Sequence, residues 1–372
     1  MNLIVDGKIY EGNTQGGIAR IFSNILPLMC NLDPNLKVFL FTSKTPPISL
    51  PIHPQIQHLH LETVYKYFRP WRIFSRYYKK IQRAYITARF GSSQKNIWFS
   101  TYFTKPPENW RGQQVVYVFD MIYELFPELM PNSQMVINNK ENAILSADKV
   151  FCISHTTAGD LKHFYSIPDE KIAVTPLSHE RRFTTKHSSE IREHVTDKYI
   201  LFVGKRKYYK GFATLLEAYS QWEKNQEIKL VLVGSEWLPE ENSEIRKRGI
   251  EKQVKLLENV DDETLCDLYN QAEAFVYPSL YEGFGIPLLE AMACGCPIIA
   301  SRIPSTEEVS EDVPYYFEPG NSASLLAALD KMSSSEDMAT RITRGIEVSM
   351  KYSWHKTALL AYEALKDLDE EN

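Results

Sequence analysis

The sequence predicts an α/β protein of two Rossmann-like domains, each a parallel β-sheet flanked by helices, with the sheets facing a central cleft. Three observations lead there. The chain has 372 residues, beyond the roughly 250–300 at which a single hydrophobic core stops growing. Its second half alternates short apolar runs with amphipathic stretches, and its first half repeats the apolar runs less regularly.

In the first half, Leu3–Val5, Val38–Phe41, Ile97–Ser100, Gln114–Phe119 and Lys149–Ile153 read as strands. In the second half, the strands are Tyr199–Val203, Lys229–Val233, Val254–Leu257, Ala274–Tyr277 and Pro297–Ala300. Between them, Ala213–Trp222 spaces Leu215, Leu216, Tyr219 and Trp222 as a helix does, and Glu263–Ala272 does so with Leu265, Leu268 and Tyr269. Residues 184–198, polar and without an apolar stripe, read as a linker between domains 1–183 and 199–353. Residues 354–372 read as a terminal helix that packs back on the first domain.

Composition excludes several classes. Apolar residues make up 44% and charged residues 24% of the chain, as in soluble globular proteins. The net charge of -5 argues against a surface built for nucleic acid. Five cysteines form no CxxC pair and leave an odd count, which suits a reducing compartment and small core residues. Asp6 comes too early for a signal peptide's apolar core, and no apolar run has bilayer length. A cytoplasmic protein is expected.

The most informative run is Ser279-Leu280-Tyr281-Glu282-Gly283-Phe284-Gly285-Ile286-Pro287-Leu288-Leu289-Glu290, which follows a strand and opens a helix. Gly283 and Gly285 let the backbone approach a ligand, and Pro287 suits a helix start. The helix N-terminus then offers amides to a diphosphate. Glu290, placed by this reading in the first turn, can accept from a vicinal diol, and Glu282 can reach a sugar hydroxyl. The plainer alternative makes Glu290 a dipole-favoured carboxylate and Glu282 a solvated loop residue.

After the strand Tyr199–Val203 come Gly204-Lys205-Arg206-Lys207-Tyr208-Tyr209-Lys210-Gly211. Lys205 and Lys210 flank the turn, and two fixed ammonium groups can stabilise a departing nucleoside diphosphate where another enzyme uses magnesium. A solvated basic loop is the alternative. After the first strand, Gly16 and Gly17 open a helix running to about Met29, as close approach to phosphate or sugar requires, although tight packing explains them equally.

Together these segments resemble the family 4 glycosyltransferases, which have the GT-B fold and retain the anomeric configuration of the sugar. In that family two Glu separated by seven residues mark the donor site, and Glu282 and Glu290 have that spacing. The resemblance implies that Glu282 contacts the donor sugar, that the amides of Gly283, Phe284, Gly285 and Ile286 meet phosphate or sugar, and that Glu290 meets the ribose. It places the nucleobase against the backbone at Val260. Relatives carry Gly-Arg and then Lys-Gly where this chain has Gly204-Lys205 and Lys210-Gly211. Lys lacks the bidentate fork of Arg, which brings Arg206 in as a possible sharer of the role. Many relatives have His-Asp where this chain has Phe119-Asp120, so Asp120 is the candidate for orienting a hydroxyl, with capping of the next turn as the alternative. Ser154 matches a frequent family serine and equally suits a helix cap.

The resemblance implies a hexosyltransferase of mannose or glucose type that uses a nucleotide-sugar donor and a saccharide or lipid-linked acceptor in polysaccharide or glycolipid biosynthesis. Retention then follows a front-face path, in which the departing phosphate oxygen takes the acceptor proton. No metal or other cofactor is expected, since the only Asp-x-Asp triplet is Asp367-Leu368-Asp369 in a tail read as frayed. Residues 64–90 are basic and aromatic, and read as a helix for peripheral membrane contact or as a core-facing helix with a solvated back. The alternatives to transfer are a GT-B-like nucleotide-sugar epimerase and a non-catalytic membrane-surface protein that binds sugar nucleotides.

Overall fold

The computed structural model describes residues 1–12, 17–43, 46, 49–60 and 83–370. Two compact units emerge, one of residues 1–177 with the segment from Trp354 onward, the other Ser178–Ser353.

The first unit holds a seven-stranded parallel sheet in the order β3-β2-β1-β4-β5-β6-β7. Its strands are β1 Asn2–Asp6, β2 Lys37–Thr42, β3 Ile56–His60, β4 Asn96–Ser100, β5 Gln113–Val118, β6 Lys149–Cys152 and β7 Ile172–Val174. Every β4 residue is buried and all of β1 except Asn2, as strands covered on both faces require. Its helices are α1 Gly17–Leu32, the helical residues 83–90 (α2), α3 Ile122–Leu125, α4 Ser133–Leu145, α5 His155–Tyr165 and α13 Trp354–Glu370. α13 belongs to this unit: Thr357 donates to Pro176 O, and Gln113 donates to Leu368 O at 2.7 Å. The Asp367–Asp369 triplet therefore lies in a packed helix rather than a frayed tail, with Asp369 3.8 Å from the Met1 amine.

The second unit holds a six-stranded parallel sheet in the order β10-β9-β8-β11-β12-β13. Its strands are β8 Tyr199–Val203, β9 Lys229–Gly234, β10 Val254–Glu258, β11 Ala274–Tyr277, β12 Ile298–Ser301 and β13 Tyr315–Phe317. The helices are α6 Phe212–Gln221, α7 Pro239–Lys247, α8 Asp262–Gln271, α9 Ile286–Ala293, α10 Pro304–Ser310, α11 Ser322–Ser334 and α12 Met338–Ser349. Leu215, Leu216, Tyr219 and Trp222 from α6 and the residue after it enter one core with Leu325 and Leu329 of α11.

Residues 184–198 depart from the linker reading. The boundary falls at Leu177, and this segment is fastened to α8: Lys186 pairs with Asp267 at 2.6 Å, His194 Nε2 lies 3.2 Å from the same carboxylate, and Asn270 donates to Thr184 O. Polar side chains aimed at a partner helix look, in sequence, like solvated chain. All five cysteines are buried and free.

The carboxyl end of β1 carries a titratable core group. Asp6 is 7% exposed and accepts from Thr101 Oγ1 at 2.6 Å and from the Lys8 amide. Burial pushes its carboxyl up to about 7, against the pull of those hydrogen bonds. The folded state therefore holds a proton that the unfolded chain, with a pKa near 3.9, releases. The contribution of Asp6 to stability is expected to be fully present below about pH 4 and to fall as pH rises towards 7, by on the order of 1 kcal/mol per pH unit. Urea midpoints measured from pH 4 to 8 check this, and Asp6→Asn should flatten the slope.

Candidate active site

In an open parallel sheet, ligands bind beyond the carboxyl ends of strands where the strand order reverses. In the second unit that point lies between β8 and β11. The two loops leaving these strands hold most of the residues singled out in the sequence. They are tied together: Leu280 N donates to Tyr209 O at 2.7 Å, and Gly211, at φ +66°, lies so close that a Cβ there would stand 1.9 Å from Pro278 O. Gly211→Ala is expected to cost ~1–3 kcal/mol by strain and to weaken nucleotide affinity with it. Chemical denaturation paired with a nucleotide titration reads both.

At the meeting of the loops, Lys210 Nζ lies 2.7 Å from Glu282 Oε1, and Ser279 Oγ donates to that oxygen at 2.6 Å. Glu282 is 8% exposed, so it is no solvated loop residue. The Lys210 ammonium also sits 6.0 Å from the ring centroid of Tyr277, whose hydroxyl is pushed up by burial and by the Glu282 charge. A cation and a carboxylate are thus held together at the end of the sheet. Lys205 is exposed and forms no ion pair among the described residues.

Helix α9 begins at Ile286 after Gly285 at φ +134°, with Pro287 in its first turn. Gly283, Phe284 and Gly285 are buried, and the Phe284 ring packs edge-on against Tyr352 at 5.7 Å. Glu290 is five residues into the helix, not in its first turn, and is 5% exposed with Tyr269 Oη donating to it at 3.2 Å. Burial, with Glu290 nearby, pushes the Tyr269 hydroxyl upward. Val260 is half-buried, one residue before Asp261, which caps α8 through Thr264 N.

Arg206 is placed differently from the sharing role expected of it. Its Nε meets Glu241 at 2.9 Å, its Nη2 donates to Ser235 O and Glu236 O, and its guanidinium stacks 5.0 Å from the Trp237 ring. It lines a cavity of about 320 Å³ with Glu240, Glu241 and Glu244, and Lys210, Glu282 and Glu290 are not in that lining. Arg206 is thus engaged by Glu241 of α7 and by the carbonyls of Ser235 and Glu236, in a cavity that Lys207 and Arg248 also line. Gly17 is exposed with open space around its Cα, and Gly16 lies outside the described residues.

In the first unit, Asp120 Oδ1 accepts from Ile122 N at 3.0 Å, the turn-capping geometry. Phe119 stacks on Tyr117 at 5.6 Å within the aromatic core around Phe22, which an apolar ring suits and a polar imidazole would not. Ser154 caps α5 through Thr157 N. Of the basic stretch, 64–82 lies outside the described residues. In α2, Ile86 and Phe90 are buried against Trp98 while Tyr85 is 39% exposed, so the apolar face of its described residues runs through Ile86 and Phe90.

Sequence reasoning passed over Lys140. It is 1% exposed, and its ammonium lies 2.8 Å from Glu124 Oε2 and donates to Asp120 O at 2.9 Å. Tyr165 Oη donates to the other Glu124 oxygen at 2.5 Å. A lysine in a polar helix gives no sequence signal of burial, because its partners Glu124 and Asp120 are 16 and 20 residues away. No group of three or more His, Cys, Asp or Glu able to hold a metal occurs among the described residues.

Residues 183–347 match the family model described as glycosyl transferases group 1. The chain is 29% identical over 257 residues to the O-antigen chain mannosyltransferase B of Escherichia coli, covering 64% of this chain and 66% of that protein. It is 27% identical over 261 residues to the serotype-specific mannosyltransferase WbdA of Escherichia coli, covering 64% of this chain and 31% of that one. The chain thus spans less than two thirds of the length of these relatives. Among solved structures, sucrose-phosphate synthase from Thermosynechococcus elongatus superposes with a TM-score of 0.75 over 100% of both chains at 17% identity, which shows a common fold. Residues 183–347, which carry the motif-bearing loops at one switch point, match the group 1 glycosyl transferases, and the two parallel sheets have the GT-B fold.

Proposed function

We propose that the chain transfers a hexose, of mannose type, from a nucleotide-sugar donor to a saccharide or lipid-linked acceptor in polysaccharide biosynthesis, with retention. The observation that carries this reading is the Lys210–Glu282–Ser279 cluster at the switch point, ahead of α9. Both relatives described above are named mannosyltransferases, which supports the choice of sugar.

In this reading Lys210, with Lys205 on the same loop, holds the diphosphate as its charge develops. Glu282 accepts from a hydroxyl of the donor sugar, the amides from Gly283 to Ile286 meet the phosphates, and Glu290, oriented by Tyr269, accepts from the ribose diol. Val260 lies against the base, and Gly17 stands at the opening of α1. The bond from the anomeric carbon to the phosphate oxygen breaks as the acceptor oxygen bonds to that carbon on the same face. The acceptor proton passes to the departing phosphate oxygen, so no enzyme base is required. Asp120 orients the acceptor hydroxyl. The lysines supply the charge stabilisation, and the reaction is expected to run without added metal.

A thermal-shift screen of GDP-mannose, UDP-glucose and other nucleotide sugars in a chelating buffer tests the reading. A donor at 100 times its Kd should stabilise the fold by about 2.7 kcal/mol, and the linkage formed from that donor should be of the α-configuration. No stabilisation by any nucleotide sugar, or a β-linked product from an α-linked donor, would overturn it. The chain is expected on the cytoplasmic side, where nucleotide sugars are made available. No described helix is long and apolar enough to cross a membrane.

A further inference from the structure

Helix α8 is joined to α9 by the hydrogen bond from Tyr269 Oη to Glu290 at 3.2 Å. A second contact joins them one turn away on each helix, where Cys266 Sγ and Cys294 Sγ lie 3.7 Å apart. Cys294 caps α9, and its amide donates to Glu290 O at 3.1 Å, so the thiol and the carboxylate stand on adjacent turns. All five cysteines are free, yet no other two sulfurs come into contact among the described residues. In its thiol form Cys266 donates to Arg182 O at 3.2 Å. Donation from the Cys294 thiol, with help from the Lys186 ammonium, nevertheless pulls the Cys266 thiol down to about 6, against its burial. Lys186 is itself fixed by Asp267 at 2.6 Å. The same contact between the sulfurs pushes the Cys294 thiol up. A thiolate nucleophile thus stands beside a thiol, the pairing that disulfide formation requires.

We propose that Cys266 and Cys294 form an oxidation site that hydrogen peroxide closes to a disulfide, and that this disulfide weakens nucleotide binding at Glu290; the second part rests on the transferase reading above. Both sulfurs are buried, which restricts the oxidant to one close to water in size. The Cys266 thiolate attacks one peroxide oxygen, and the O–O bond breaks to give a sulfenic acid and, with one proton taken up, water. The Cys294 sulfur then attacks the sulfenic sulfur, the S–O bond breaks, and the hydroxide leaves as a second water with the Cys294 proton. The two thiols lose two electrons in all, and one peroxide is reduced to two waters. An S–S bond of about 2 Å draws the sulfurs together by more than about 1.5 Å. The surroundings are close-packed, so α8 and α9 share that movement, and the Tyr269–Glu290 hydrogen bond one turn away is skewed with them.

The reduced full chain is treated with hydrogen peroxide at neutral pH, mapped by peptide mass, and titrated with GDP and UDP before and after dithiothreitol. A Cys266–Cys294 cross-link is expected, with nucleotide binding about ten-fold weaker, as for the loss of one charge-assisted hydrogen bond, and restored by the reductant. Tyr269→Phe in the reduced chain should weaken binding to the same extent, and oxidation should weaken that variant little further. Cys266→Ala and Cys294→Ala should each abolish the response to peroxide, whereas Cys296→Ser should keep it. Oxidation of Cys266 without a cross-link, a cross-link to Cys296, or a cross-linked chain that binds nucleotide as tightly as the reduced one would overturn the proposal. A reduced chain that binds neither GDP nor UDP overturns the transferase reading instead, and the peptide map still decides the oxidation site.

Discussion

Replacing Lys210 by alanine is expected to lower kcat by roughly 10²–10³-fold, the cost of losing one preorganised charge-stabilising group in a water-poor site. The ammonium faces Glu282 at 2.7 Å and packs near Tyr277, so its position is set before donor arrives. Removing it also leaves the Glu282 carboxylate, 8% exposed, with only the Ser279 and Tyr277 hydroxyls among its described partners. The same negative charge would then face the incoming diphosphate. The loss should therefore appear in donor affinity as well as in kcat. Lys210→Ala paired with Glu282→Gln is expected to recover part of the affinity and little of kcat. Steady-state kinetics with product release followed separately distinguish the two effects. An unchanged kcat in Lys210→Ala would remove this lysine from the chemistry.

Lys140→Met is expected to destabilise the first unit by ~3–5 kcal/mol, the range seen when one partner of a buried ion pair is removed. Glu124, whose side chain is 4% exposed, would keep its charge or its proton without the ammonium at 2.8 Å. The substitution preserves volume, so the loss reports the charge rather than a cavity. Glu124→Gln in the same chain should restore much of the stability, which a packing defect would not allow. Because Lys140 also holds Asp120 O and lies 5.5 Å from the Phe103 ring, the single variant should raise the acceptor KM more than it lowers donor affinity. Denaturant unfolding and acceptor titration together test this.

The sheets were readable because their strands are buried on both faces and so appear as uninterrupted apolar runs. β8 and β11 have in the structure the bounds expected of them. The strands that were missed are the short or edge ones. β3, with the sequence IQHLH, is half-polar because an edge strand meets water, and β7 and β13 have three residues each, too few for a period to show. The pairing of the loop Gly204–Gly211 with the loop Pro278–Gly285 was legible in part. Each glycine and each charge announced a strand-to-helix turn, but no local rule chose Lys210 rather than Arg206 to stand beside Glu282.

The sequence by itself determined the α/β class, the succession of strands in the second unit, and the run from Glu282 to Glu290 as a strand-to-helix turn. These follow from local rules: apolar periodicity, glycine at positive φ, and proline at a helix start. Only the tertiary structure decided what the charged residues face. Arg206 went to Glu241 and the carbonyls of Ser235 and Glu236, Lys140 to Glu124, and residues 184–198 to α8. A charge near the surface and a charge in a buried pair have the same local sequence, and the distinction rests on desolvation and on partners far along the chain.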